Sequence, residues 1–314
     1  MRDIYKSRGI DISKAYIGHS YERVMPGPNY IDSIQNFYRV YSGINERSSD
    51  QTEKFLRTII KTDEYPLTRL HSTNATEMAK VLENSFRAMN IAFVVEWSRF
   101  AEEAGVNFYE VIDAIRMRPT HKNIMYPGIG VGGYCLTKDP LLASWSRQNL
   151  FNSPNNLEQS EMGVRINDKM PCFAFEFLKG QLLELNYQIK NVALLGVSYR
   201  SDVGDTRYSP VENFYLKLQN FTENIHLTDP YVKYWDELQK EIVLDFKKIL
   251  SKSLDLVIIT TSHSQYKSSK VLLDLLMKKN KIFIYDTVGL LNDDEIKILS
   301  SKHIVRVLGR GDIN

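Results

Sequence analysis

The run Asn191-Val-Ala-Leu-Leu195, closed by Gly196, decides the fold of the second half of this sequence. A short apolar run that ends at a glycine is typical of a buried strand. Similar runs follow, separated by amphipathic stretches, at residues 225–228, 256–260, 281–285 and 304–308. Strands that alternate with helices indicate a parallel sheet. The pattern therefore predicts an α/β fold with a doubly wound, Rossmann-like domain over residues 188–314.

A long amphipathic helix is predicted ahead of this domain. Apolar residues such as Met78, Met89 and Phe93 recur at helical spacing over residues 76–104. A helix of this length exceeds what a small domain needs, and such helices often build subunit interfaces. We therefore expect a central helical domain over residues 73–187 and a homodimer formed through the long helix.

The composition narrows the class of protein. The 314 residues are 43% hydrophobic, and 40 basic against 38 acidic residues give a formal net charge of +2. Nothing here suggests binding to nucleic acid or to an acidic membrane. No apolar run reaches the roughly 18 residues of a membrane span, and the first residues do not resemble a secretory signal. We expect a cytoplasmic protein without a membrane partner.

One of two cysteines lies in a chemically suggestive loop. Residues 130–140, Gly-Val-Gly-Gly-Tyr-Cys-Leu-Thr-Lys-Asp-Pro, place Cys135 after a glycine turn and four residues before Asp139. Glycines let backbone approach a ligand, and a thiol near a lysine and a carboxylate suits nucleophilic catalysis. The alternative is a small apolar core residue. Cys172 lies in a different context, so we expect neither a metal site nor a disulfide. The next helices are expected at 142–149 and 157–185, and Pro171 is expected to break or start a helix inside the second of these.

Two features could suggest a dinucleotide site. Gly128, Gly130 and Gly133 fit G-x-G-x-x-G. That motif needs a strand before it and a helix opening within it, whereas Pro127 precedes this one, so we expect no dinucleotide site here. Asp229, at the end of a predicted strand, lies where such domains bind a ribose, or else it is a turn-capping residue.

Polar pairs supply the other candidates. Lys80 and Asn84 project from one helix face, either as a solvated stripe or as groups that stabilise an oxyanion. Arg200, Asp205 and Arg207 follow a predicted strand at its carboxyl end, where α/β sheets bind ligands. Arginines there suit phosphate, although a loop salt bridge explains them equally well.

Taken together, these residues resemble the nucleotide-sugar dehydrogenases, the UDP-glucose, UDP-N-acetylhexosamine and GDP-mannose dehydrogenase family. Four motifs match in order: Ser20-Tyr-Glu-Arg-Val-Met-Pro-Gly27, Thr76-Glu-Met-Ala-Lys-Val-Leu-Glu-Asn84, Gly132-Gly-Tyr-Cys-Leu-Thr-Lys-Asp139 and Asp205-Thr-Arg-Tyr-Ser-Pro210. The likeness spans nearly the whole chain. Residues 188–314 would then be the UDP-sugar-binding domain.

The resemblance implies an enzyme that oxidises the C6 alcohol of a UDP-sugar to a carboxylate, with two NAD+ reduced, in bacterial polysaccharide biosynthesis. The sugar would pass through a cysteine thiohemiacetal and a thioester. By position in the motifs, it implies catalytic roles for Cys135 as nucleophile, Lys80 and Asn84 as oxyanion-stabilising groups, Asp139 in proton transfer through a water, and Glu22 as base for thioester hydrolysis.

The resemblance also implies binding residues. Arg207 matches an arginine that contacts the cofactor, NAD. Arg200 stands where the family has a substrate-binding lysine. Gly132, Gly133 and Tyr134 would line the substrate.

The sequence departs from the family pattern in its NAD-binding domain and at one position near the nucleotide. Only residues 1–72 correspond to its N-terminal NAD-binding domain, so we expect a remnant of that domain and no activity of this chain alone. A separate N-terminal NAD-binding piece would complement it. Val288 stands where an arginine is usual near the nucleotide. Two alternatives stay open: a catalytically silent nucleotide-binding or dimerisation remnant, and a cysteine hydrolase, for which the histidines lack a recognisable context.

Overall fold

The computed structural model describes residues 2–24, 27, 29–222, 224–267 and 270–313. The chain forms two compact units, Met1–Glu83 and Asn84–Asn314, and one long helix contributes residues to both. The domain limits expected after residues 72 and 187 remain predictions.

The first unit is a small sheet with helices around it. Its elements are α1 (Arg2–Ser7), β1 (Gly18–Ser20), α2 (Tyr30–Gln35), β2 (Val40–Gly43), α3 (Glu46–Leu56) and β3 (Thr68–Arg69), with a 3-10 turn at Ile12–Lys14. Strand β2 is central, antiparallel to β1 and parallel to β3. A Cβ on Gly18 would lie 1.8 Å from Oγ1 of Thr52, and one on Gly43 would lie 2.3 Å from the Ser49 nitrogen. Both glycines are therefore needed for α3 to pack on the sheet.

The second unit combines long helices with an α/β region. Its helices are α4 (Thr73–Glu103, shared with the first unit), α5 (Phe108–Arg116), α6 (Tyr134–Asn149), α7 (Glu158–Glu184), α8 (Pro210–Gln219), α9 (Phe246–Leu250), α10 (Ser264–Lys267), α11 (Lys270–Met277) and α12 (Asp293–Ser300). Its strands are β4 (Asn191–Leu195), β5 (Asn224–Thr228), β6 (Tyr234–Trp235), β7 (Lys240–Glu241), β8 (Leu256–Ile259), β9 (Phe283–Asp286) and β10 (Ile304–Val307). Short 3-10 turns lie at Pro119–His121, Asp236–Leu238 and Gly311–Ile313.

Five strands form the predicted parallel sheet. The order is β10-β9-β8-β4-β5, and every neighbouring pair is parallel. Both faces are covered, because alternate residues of β4, β8 and β9 enter two separate cores. On β4, for example, Val192 and Leu194 pack with residues of α7 and α8, whereas Ala193 and Leu195 pack with residues of α9, α11 and α12. The doubly wound prediction is confirmed.

Two helix predictions are wrong. The helix expected at 142–149 begins earlier, at Tyr134, because Gly133 adopts a left-handed φ of +77° that turns the chain into the helix. Pro171 was expected to break or start a helix, yet α7 runs through it without interruption. Its neighbours Met170 and Ala174 are fully buried, and that packing offsets the hydrogen bond that a proline removes.

None of the helices within the described ranges is long and apolar enough to cross a membrane.

Candidate active site

Cys135 is the second residue of α6, which begins directly after Gly132 and Gly133. Its side chain is exposed, and it occupies the first turn of the helix. The reading of Cys135 as a small core residue is therefore wrong. Cys172, on α7, is half-buried. An exposed thiol beside a glycine turn is accessible to a small electrophile, which is the first requirement for covalent catalysis.

The glycine turn is pressed against the loop that follows β4. A Cβ on Gly132 would lie 2.4 Å from the Tyr199 Cβ and 2.6 Å from the Tyr208 carbonyl oxygen. The Gly133 N–H donates to the carbonyl oxygen of Arg207 at 3.2 Å. Only glycine allows this approach, so the sequence Gly132-Gly133 fixes the start of α6 against the loop.

Arg207 reaches the same place from that loop. Its Nε and Nη2 donate to the two carboxylate oxygens of Asp205 at 2.9 and 2.6 Å. The guanidinium carbon lies 5.0 Å from the ring centroid of Tyr134, whose ring also meets Tyr208 edge to face at 4.9 Å. The hydrogen bond from Arg207 holds the pKa of Asp205 below its usual value, against the effect of burial. Arg207 stays solvent-exposed, so an anion can still reach its guanidinium.

Asp139 and Asn84 form a close pair. Asp139 is 7% exposed and lies one helical turn after Cys135, so both project from one side of α6. The Asn84 Nδ2 donates to the Asp139 Oδ2 at 2.6 Å, and the Lys138 ammonium is 3.5 Å from the other carboxylate oxygen. The structure thus brings two predicted catalytic residues together, with the thiol one turn away on the helix of Asp139.

Lys80 and Glu22 form a second pair, within the first compact unit. The Lys80 ammonium donates to the Glu22 carbonyl oxygen at 2.9 Å and lies 3.5 Å from the carboxylate. The ammonium also lies 5.8 Å from the ring centroid of Tyr21. Tyr21 and Glu22 therefore hold the Lys80 side chain in place. The interpretation of Lys80 as part of a stripe of solvated charges on the helix is wrong. Convergence of this pair with Cys135 remains a prediction.

Arg200 and Asp229 lie at the carboxyl edge of the large sheet. Arg200 is exposed on the loop after β4. The Asp229 side chain is fully buried and accepts hydrogen bonds from the backbone N–H groups of Val197, Ser198 and Tyr231. Its oxygens are thus already occupied, which favours the turn-capping reading over a ribose contact.

The described residues do not form a cradle for NAD. No strand precedes Gly128–Gly133 within the described part of the second unit, although α6 opens directly after the motif. The turn after β4 has a single glycine, Gly196, and a Cβ there would meet Thr261 at 2.4 Å. Arg207 remains one exposed cation that a phosphate could bind. One arginine does not make a dinucleotide site, so we derive no step through the cofactor.

A cavity of about 660 Å³ borders the site. Its lining includes Tyr134, Lys138, Trp145, Asp168 and Tyr208 and does not include Cys135. Burial raises the pKa of Asp168. The cavity thus opens on the face of α6 next to the one that carries the thiol.

The sequence shows no recognisable context for the histidines, but the structure gives one of them a buried polar partner. His263 is fully buried, and its Nε2 lies 3.1 Å from Oδ2 of Asp229. The local sequence Thr-Ser-His-Ser does not predict the contact between His263 and Asp229, because these residues are far apart in the sequence. Only the prediction that two strands end side by side could have suggested it.

Two segments of the chain match one family. Residues 74–168 match the central domain of the UDP-glucose/GDP-mannose dehydrogenase family, and residues 193–293 match its UDP binding domain. The chain belongs to this family of nucleotide-sugar dehydrogenases.

Particular relatives can then be named. The chain is 33% identical over 309 residues to the UDP-N-acetyl-D-mannosamine dehydrogenase of Pyrococcus horikoshii, covering 97% of this chain and 66% of the relative. It is 32% identical over 295 residues to the enzyme of that name from Methanocaldococcus jannaschii, covering 92% and 63%. The solved structure of the Pyrococcus horikoshii protein superposes with a TM-score of 0.79 and 30% identity, covering 99% of this chain and 69% of that one. The chain thus spans about two thirds of the length of these relatives.

Proposed function

We propose that this chain carries the thiol chemistry of a nucleotide-sugar 6-dehydrogenase. The observation that supports this most directly is the exposed thiol of Cys135 in the first turn of α6, with the bonded pair of Asp139 and Asn84 beside it. The names of the relatives make UDP-N-acetyl-D-mannosamine the first substrate to test.

Two steps follow from the side chains themselves. In the first, the Cys135 sulfur bonds to the C6 aldehyde carbon, and the carbonyl electron pair moves to oxygen, which takes up a proton to give a thiohemiacetal. In the second, after oxidation to the thioester, water attacks the carbon, the carbon–sulfur bond breaks, and a water proton passes to Glu22. In both steps, Lys80 and Asn84 would donate to the oxyanion and Asp139 would move protons through a water.

The oxidation itself needs an electron acceptor, which is NAD+ in this family. The described residues offer only Arg207 to it, so we propose that the rest of the cofactor site comes from an N-terminal NAD-binding piece. Arg200, Gly132, Gly133 and Tyr134 would contact the UDP-sugar. Because the chemistry needs a reduced thiol, we place the protein in the cytoplasm.

We also propose a homodimer through α4. Its exposed residues include Phe86, Phe93, Trp97 and Phe100, and Trp97 makes ring contacts with Phe93 and Phe100 at centroid distances of 6.0 and 5.9 Å. A row of exposed aromatic rings on one helix is typical of a protein interface.

A catalytically silent remnant is the second candidate. It is favoured by Val288, which stands where the family has an arginine and instead packs as an apolar side chain against both cores of the large sheet. Such a chain would keep the nucleotide-binding fold and the helix interface without the reaction.

Alkylation separates the two candidates. Iodoacetamide should modify Cys135 faster than the half-buried Cys172, and UDP-N-acetyl-D-mannosamine should slow the reaction at Cys135 alone, as measured by peptide mass spectrometry. The matched controls are Cys172→Ser, which should behave as the parent, and Cys135→Ser, which should lose the protected site. If the nucleotide sugar leaves Cys135 reactivity unchanged, the remnant is the better account.

A further inference from the structure

A buried histidine occupies the place where sheets of this kind bind ligands. In the sheet, β5 lies on one side of β4 and β8 lies on the other. The loop after β4 therefore leads toward one edge of the sheet and the loop after β8 leads toward the other, which makes this position a topological switch point. The crevice at such a switch point is the usual ligand site of open α/β sheets. Here His263, from the loop after β8, is 0% exposed and bonded to the loops after β4 and β5.

The hydrogen bonds of His263 assign its tautomer. The Asp202 backbone N–H donates to Nδ1 at 2.9 Å, so the ring proton is on Nε2. Nε2 lies 3.1 Å from Oδ2 of Asp229 and 3.3 Å from Oγ of Ser198. The Ser198 hydroxyl donates onward to the Arg200 carbonyl oxygen at 3.0 Å. Both nitrogens of the ring are therefore used, and both bind loop segments.

Asp229 holds the other side of this contact. Burial alone would raise the pKa of Asp229, but the hydrogen bond from His263 and those from backbone N–H groups leave that pKa below its usual value. The carboxylate stays charged in a buried place because its donors surround it. The imidazole and the carboxylate thus form one fixed unit between three loops.

The loop after β4 needs such support. Asp202 and Tyr208 adopt left-handed φ values of +60° and +54°, which non-glycine residues rarely accept unless their surroundings hold them. Asp202 is held twice, by His263 through its backbone and by the Ser264 N–H, which donates to its carboxylate at 2.9 Å. The Tyr199 N–H donates to the Asp205 carbonyl oxygen at 3.0 Å and closes the loop.

This loop contacts the glycine turn that precedes the thiol. The carbonyl oxygen of Arg207 accepts a hydrogen bond from the Gly133 N–H. Tyr199 and Tyr208 of the same loop fill the space that a side chain on Gly132 would need. A continuous series of hydrogen bonds and contacts therefore leads from His263 to the turn that begins α6 and carries Cys135.

We propose that His263 is a positioning residue for the thiol site. By binding Asp202 and Asp229 together it fixes the loop of residues 197–208, and this loop fixes the Gly132-Gly133 turn and the direction of Arg207. The proposal rests on the proposed function for its link to substrate. The structural connection between His263 and the glycine turn does not depend on that function.

His303 provides a matched control. It is also a buried histidine of the second unit, 5% exposed, and its Nδ1 accepts the Ile282 N–H at 3.2 Å. Its contacts lie at the start of β9 and not at the loop after β4. If His263 served packing alone, His263→Ala and His303→Ala would act alike on the thiol site.

Hydrogen exchange on the full chain tests the structural link. His263→Ala should speed exchange of the amides in residues 199–208 and at Gly133 by about tenfold, relative to the parent and to His303→Ala. His263→Gln should restore slow exchange, because an amide side chain, like the neutral ring, can both donate and accept a hydrogen bond. If His263→Ala does not fold, His263→Met, which keeps side-chain volume without the acceptor, takes its place. Exchange at Gly133 equal to that of His303→Ala would overturn the proposal.

Alkylation tests the link to substrate. UDP-N-acetyl-D-mannosamine should protect Cys135 about tenfold less well in His263→Ala, with protection regained in His263→Gln and unaffected in His303→Ala. If the parent itself shows no protection, the proposed function fails, while the exchange result still decides the role of His263. Protection lost equally in all three variants would mean a general loss of stability and would refute positioning.

Discussion

The Asn84 amide donates to the Asp139 carboxylate at 2.6 Å, which joins α4 to α6 beside the exposed thiol. Asp139 is almost fully buried, so its charge depends on the few donors that reach it. The amide of Asn84 therefore stabilises the buried Asp139 carboxylate, in addition to the oxyanion role proposed for it.

Removing that amide should lower stability. Asn84→Ala leaves a buried carboxylate short of one donor, so we expect the free energy of unfolding in urea to fall by about 1–3 kcal/mol. Asn84→Asp should lower it further, because the change removes the same donor and places a second carboxylate against Asp139. Asn84→Asp as stable as the parent would contradict the contact.

The glycine turn should tolerate no side chain. Gly132→Ala places a Cβ 2.6 Å from the Tyr208 carbonyl oxygen, and we expect a loss of about 1–3 kcal/mol together with altered alkylation of Cys135. Gly128→Ala is the control, since nothing lies within 4 Å of a Cβ at that position. Similar melting temperatures for the two variants would show that the turn can move away from the loop.

Glu102 should make stability depend on pH. Burial raises the pKa of Glu102 to about 7, although the Gly309 N–H and the charge of Arg99 oppose it. A carboxyl with a raised folded-state pKa stabilises the protein below its unfolded pKa and loses that contribution as pH rises through 7. Glu102→Gln should therefore gain stability over the parent between pH 5 and 8, by up to about 3 kcal/mol.

The exposed neighbour Glu103 controls for charge. Glu103→Gln should weaken the pH dependence of unfolding only slightly, because the charge of Glu103 adds a minor part to the raised pKa of Glu102. A parent whose stability relative to Glu102→Gln is the same at pH 5 and pH 8 would mean that Glu102 titrates at its ordinary pKa.

The helix interface can be tested by charge. Trp97 is 44% exposed on α4, and Trp97→Asp should convert a dimer to a monomer in sedimentation velocity, because burying an unpaired carboxylate in the interface is costly. Phe55→Asp changes an exposed aromatic residue on α3 and should leave the sedimentation coefficient of the assembly unchanged. A parent that sediments as a monomer would refute the interface.

The large sheet could be predicted because its strands are buried on both faces and therefore appear as continuous apolar runs, as in Leu256–Ile259. The start of α6 could not, because it depends on the left-handed φ of Gly133 and on packing against α7. The bond between Asn84 and Asp139 and that between His263 and Asp229 each join distant segments. Sequence spacing carries no record of such pairs, whereas the family motifs did point to Cys135, Asp139 and Asn84.

The openness of Cys135 also exposes it to damage. An accessible thiol is the first to meet peroxide, which converts it to a sulfenic acid and then irreversibly to higher acids. Cys172, half-buried on α7, would be oxidised later. Preparations kept without a reducing agent should therefore lose the reactive thiol of Cys135 while the fold persists. An aged sample would then appear intact in measurements of folding and would differ only in the reactivity of this thiol.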